Sequence, residues 1–215
     1  MERTRSELTS AALLVVVVAV LSSQAGAHHV GAYVPKDNAV TTNFKQVKFS
    51  VQAKKFDVAL QLFEAGALRA EMRGHAATLP AGLEEGTRAA LKARDGAEVE
   101  RRLMLFFAAL ARDLAREADC HLGGGGAIGE VRVATGRKFL EAIWRYYNLV
   151  DFAVSVRDNK TSVALRLAFD EADTYVKPTA AAPLDPGRLR QPFQRIADIL
   201  STLVEASSTQ ARRDS

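Results

Sequence analysis

Beyond residue 38, apolar positions recur every third or fourth residue along most of the chain, and no stretch alternates convincingly with period two. The fullest run is Gly136–Arg157, GRKFLEAIWRYYNLVDFAVSVR. In it Phe139, Ile143, Tyr146, Val150 and Ala153 follow one another at helical spacing, and Leu140, Trp144, Tyr147 and Asp151 form a second stripe beside them. Residues so spaced share a helix face, and two adjoining stripes make a wide apolar surface. The pattern predicts one unbroken helix, touching neighbours on both sides, at the centre of a bundle.

The other elements follow in order. A short extended lead-in, 28–38, ends at Asp37 and Asn38, either of which can cap a helix. A first helix is expected over about 39–53, with Phe44, Val47 and Val51 inward. A second is expected over 56–73, on Val58, Ala59, Leu62 and Phe63, with Gly66 marking close packing or a break. After a loop and a short helix at 84–92, Asp95-Gly96 signals a turn. The helix over 97–121 buries Val99, Leu103, Phe106, Leu110 and Leu114, and stops at the glycines 123–126. Those glycines lack the preceding strand and the Lys-Ser/Thr of a phosphate loop, so they read as a linker. Asp158 is placed to cap a helix over 162–175, with Leu165, Phe169, Ala172 and Val176 inward. The last helix, 187–206, aligns Leu189, Phe193, Ile196, Leu200 and Leu203, and a polar tail, 207–215, is expected to be disordered. The fold class predicted is all-α: an antiparallel bundle of four main helices plus one or two short ones, forming a single domain over 39–206.

Residues 1–27 change the picture of where the chain works. Arg3 and Arg5 precede the 11-residue apolar run Ala11–Leu21, and Ala25 and Ala27 then stand at A-x-A positions. This is the layout of a secretory signal peptide, and the run is shorter than the roughly 20 residues a membrane span requires. Cleavage after Ala27 is expected, with an uncleaved N-terminal anchor as the alternative. The mature chain is then soluble and periplasmic, with no transmembrane anchor.

The formal charge of +4 is spread along the chain instead of gathered in a basic patch, so nucleic acid is not indicated as a partner. The single cysteine, Cys120, excludes an intrachain disulfide, and burial as a small apolar residue is expected for it. There is no G-x-S-x-G, no H-E-x-x-H and no C-x-x-C-H, so the chain is read as non-catalytic and without covalent haem.

Cleavage after Ala27 would leave His28 at the mature N-terminus, followed by His29. A free α-amine and an imidazole on one residue can chelate one ion, and nitrogen donors suit Cu(II). At His28 alone the chain resembles the N-terminal histidine site of periplasmic copper-binding proteins and copper oxygenases, which implies copper as the ion. The helical layout, with turns of the type ALxARDGAxxE seen at Ala90–Glu100, is also similar to periplasmic accessory domains beside bacterial iron permeases. That likeness implies iron and a metal transporter as partner. The candidate metal ligands are His28, His29 and His75. Glu71–His75 and Glu117–His121 are each four apart, which does not match the Glu-x-x-His spacing of di-iron bundles.

A second set of candidates comes from the 136–157 run. Trp144, Tyr146 and Tyr147 could anchor an envelope partner protein. Asp151, continuing the Trp144–Tyr147 stripe, could be a buried carboxylate paired with Arg or Tyr of another helix, or the acid of a small-ligand pocket with Tyr147 and Arg145. Arg166 is four residues from Asp170 and is expected to pair with it on the surface.

Overall fold

The computed structural model describes residues 36–124, 129–177 and 185–213. The signal segment, His28, His29 and most of the lead-in lie outside them, as do Gly125, Gly126 and most of the 177–186 loop. Every regular element among the described residues is a helix. In order they are α1 Ala39–Gln52, α2 Phe56–Ala65, α3 Ala67–Gly74, α4 Leu83–Lys92, α5 Gly96–Gly123, α6 Gly129–Tyr147, α7 Asp151–Arg157, α8 Asn159–Val176 and α9 Pro186–Arg213.

The centre belongs to α5, and not to the 136–157 run. Leu103–Ala111, LMLFFAALA, is nine consecutive buried residues. A helix apolar on all sides must be covered on all sides. Helices α9 and α6 lie along α5, α4 and α1 also reach it, and α8 closes the far side against α9 and α6. The inward stripes of α8 and α9 are as expected, with Leu165, Phe169, Ala172, Val176, Leu189, Phe193, Ile196, Leu200 and Leu203 all buried. Aromatic rings knit the layers together: Phe107 meets Phe44 of α1 at 4.7 Å and Tyr146 of α6 at 5.8 Å.

Helix starts follow their capping residues. Asn38 Oδ1 accepts from Thr41 N at 2.9 Å, while Thr41 Oγ1 accepts from Asn38 N at 2.8 Å, which closes a capping box. Asp95 and Asp158 accept from Glu98 N and Thr161 N and so begin α5 and α8.

The ends of α1 and α4 repeat one geometry forty residues apart. Lys54 N donates to Val51 O and Lys55 N to Ser50 O; Arg94 N donates to Leu91 O and Asp95 N to Ala90 O. Lys54 and Arg94 take φ of 58° and 59°, the left-handed conformation that glycine usually fills at this position. Both corners reverse the chain into the next helix of a hairpin.

The helix expected over 56–73 is broken at Gly66, and Asn43 of α1 accounts for the break. The buried Asn43 side chain accepts from Leu68 N and donates to Leu62 O, both at 3.0 Å, which satisfies backbone groups that the interruption frees. A Cβ on Gly66 would overlap Asn43 Oδ1, so the break and the glycine belong together.

The 136–157 run is also broken. After Tyr147 the ladder tightens, with Leu149 N bonding Tyr146 O and Val150 N bonding Tyr147 O, each three residues back. Asn148 and the β-branched Val150 are modest helix formers, and the chain restarts as α7 at Asp151. At the far end, α9 continues to Arg213, past the 206 boundary expected for it. There Arg101 of α5 donates to Ser207 O at 3.1 Å and gives the added turn a partner.

Candidate functional site

Helix α7 is short and held from one side. Val154 is fully buried, and Asp151 is only 8% exposed. The Asp151 carboxylate accepts from Ser162 Oγ of α8 at 3.0 Å, from Arg166 Nε at 3.3 Å, and closely from Arg166 Nη2. Arg166 therefore pairs with Asp151 and not with Asp170, and that carboxylate raises the pKa of its guanidinium. A charge on a nearly buried carboxylate needs such a partner. Tyr147 is fully buried beside this pair, its hydroxyl facing Ser162 and Asp151. Burial, and then the charge of Asp151, push its pKa upward. Trp144 is half-buried and meets Phe169 edge-on at 4.9 Å. Tyr146 is half-buried too, and Asn38 Nδ2 donates to its hydroxyl at 3.4 Å. Of the residues singled out along this run, Tyr147 and Asp151 are core, and Trp144 and Tyr146 pack against it.

Because α7 is pinned through Asp151 and Val154, its other face is left outside. Phe152 is 78% exposed and Val156 70%. They stand over an open groove of about 220 Å³, floored by Phe44 of α1, Leu103 and Met104 of α5 and Val150. Lys48, Glu100 and Arg157 supply its charges. Phe152 and Val156 fall outside both predicted stripes. The signal that points to them is the all-round apolar character of 149–156, LVDFAVSV, which exceeds what one buried face requires.

The remaining candidates are dispersed. His75 Nε2 lies 3.5 Å from Glu71 Oε1, and His121 Nε2 lies 3.8 Å from Glu117 Oε1. Among the described residues no three or more His, Cys, Asp or Glu gather where they could hold a metal ion. Cys120 is exposed, against the expectation of burial: it falls on the outward side of α5, between the buried Ala118 and Leu122. No described helix is long and apolar enough to cross a membrane.

The fold and groove define an all-α helical bundle with an apolar cleft between α1, α5 and α7. Comparison with protein-family models, curated proteins and solved structures found no match.

Proposed function

We propose that the protein is a non-catalytic docking module that receives a partner protein in the groove beside α7. The observation that carries this reading is the exposure of Phe152 and Val156 above an apolar floor. Large apolar side chains grouped at a cleft are the anchoring chemistry of protein interfaces, where a few such residues supply most of the binding energy. A volume of about 220 Å³ is below the roughly 300 Å³ at which small-molecule pockets begin, which favours a partner's side chains over a free ligand. With export as expected from residues 1–27, the partner is an envelope protein.

Gel filtration of extracts from the producing cells tests the proposal. The protein elutes in a complex heavier than the 23.3 kDa of the uncleaved chain, and a variant carrying Phe152→Glu and Val156→Glu elutes alone with an unchanged circular dichroism spectrum. Identical elution of the two would overturn the reading.

A second reading rests on His28 and His29. They would chelate copper or iron at a mature N-terminus, with His75 as a further ligand, in a chain accessory to metal transport. Intact mass and metal content of one exported sample test it. Copper affinity unchanged in a His28→Ala variant would sink it.

A further inference from the structure

We infer that the groove's occupant is a short amphipathic helix of a partner protein, with carboxylates flanking its apolar face. This rests on the docking reading above and adds the occupant's conformation and charge.

The conformation follows from the walls. Every regular element around the groove is a helix with its own backbone bonds made internally, so the groove offers no free sheet edge. An extended peptide laid there would leave its own backbone groups unpaired against an apolar floor, whereas a helix brings its bonds with it. The dimensions agree. Phe44, Lys48 and Gln52 lie on successive turns of α1, so that wall is two turns long, or about 12 Å. Phe152 and Val156 are one turn apart on the opposite wall. A wall of this length matches helix side chains at positions i, i+4 and i+7.

The charge follows from what the rim residues do not touch. Most described arginines are ion-paired, among them Arg88 with Glu64, Arg94 with Asp57, Arg102 with Glu98, Arg190 with Asp119 and Arg195 with Glu171, whereas among the described lysines only Lys45 and Lys177 are. Lys48 and Arg157 line the groove, and neither has an ion-pair partner among the described residues. The Lys48 ammonium sits 5.8 Å from the centre of the Phe44 ring, over the groove floor. Glu100 is the one acid among the lining residues, which leaves the groove with an excess of one positive charge. An acidic flank complements that excess, and a basic one is repelled by it.

Fluorescence anisotropy with the full chain and two labelled peptides tests the inference. Each peptide is about four helical turns long, with leucines along one face. One carries Glu on both flanks and the other Lys. The Glu peptide is expected to bind about tenfold tighter at low salt, to gain helical circular dichroism on binding, and to lose most of the advantage in high salt. A Lys48→Glu, Arg157→Glu variant should reverse the preference, and Phe152→Glu should abolish binding of both peptides. Equal affinity for the two peptides would overturn the charge assignment and leave the docking reading standing. Binding without a gain in helix would overturn the conformation. Binding of neither peptide would overturn the inference, while the elution experiment decides the docking reading separately. Sedimentation showing that the chain self-associates, with loss of that association in Phe152→Glu, would make the occupant a second copy and also overturn it.

Discussion

At the scale of single residues, buried polar groups decide where this chain is vulnerable. Gly66→Ala would drive a methyl group into Asn43 Oδ1 and displace the side chain that satisfies Leu68 N and Leu62 O. A destabilisation of about 2–3 kcal/mol is expected in urea titration, combining overpacking with lost hydrogen bonds. Gly74→Ala meets nothing within 4 Å, and should instead stabilise by about 0.5 kcal/mol. Arg166→Leu leaves the Asp151 carboxylate buried with Ser162 alone. The loss should be about 2 kcal/mol, below the 3–5 typical of fully buried pairs, because 46% of the Arg166 side chain is in water. Glu98 and Asp119 are two of the carboxylates whose pKa the fold lowers, along with Asp37, Glu64 and Asp158. Hydrogen bonds from Arg101 and Arg102 lower the pKa of Glu98, and those from Arg190 and Gln194 lower that of Asp119. A carboxyl whose pKa is lower folded than unfolded contributes stability above its unfolded value and loses it as pH falls through the folded one. The urea midpoint should therefore hold from pH 8 to about 5 and fall below about pH 4.5. The fall should be shallower in Arg190→Leu.

At the scale of elements, the two matched corners at Lys54 and Arg94 hold non-glycine residues in the left-handed conformation, which costs roughly 1 kcal/mol at each. Lys54→Gly should raise the unfolding free energy by about 0.5–1 kcal/mol in urea titration, as glycine adopts this φ without strain. Much at this scale was legible beforehand. The stripes of α8 and α9 depend only on helical spacing, and the caps at Asn38, offered as an alternative to Asp37, and at Asp158 only on side chains beside the helix start, whereas Asp95 was read as part of a turn and proves to be a cap. What periodicity could not show was continuity. The residues after Tyr147 keep helical spacing across the break, and the pairing of Asp151 with Arg166 and Ser162 on α8, which holds α7 beyond it, is tertiary. The break at Gly66 likewise depends on Asn43, distant in sequence. Centrality was misplaced for a related reason. The aromatic residues of 136–157 stood out, while the plainer nine-residue run of α5 is the one that α9, α6, α4 and α1 pack against.

At the scale of the whole molecule, the groove exists because α7 is anchored through one face while the chain turns from α6 into α8. Its floor residues, Leu103 and Met104, belong to a helix read as ordinary core, and Phe152, the more exposed of its two large apolar wall residues, lay outside the predicted stripes. The anchors read from the sequence therefore lie in the same stretch as the groove's exposed wall but on a different face. Trp144, Tyr146 and Tyr147 pack in or against the core, and Phe152 and Val156 take the place proposed for them at the interface. The most direct test of the docking claim is site-specific photo-crosslinking in the producing cells. A photoreactive residue is placed at Phe152 in one sample and, as a control, at the similarly exposed Leu167 of α8 in another. A discrete heteromeric adduct is expected from position 152 and not from position 167. No adduct from 152, or the same adducts from both positions, would contradict the docking claim.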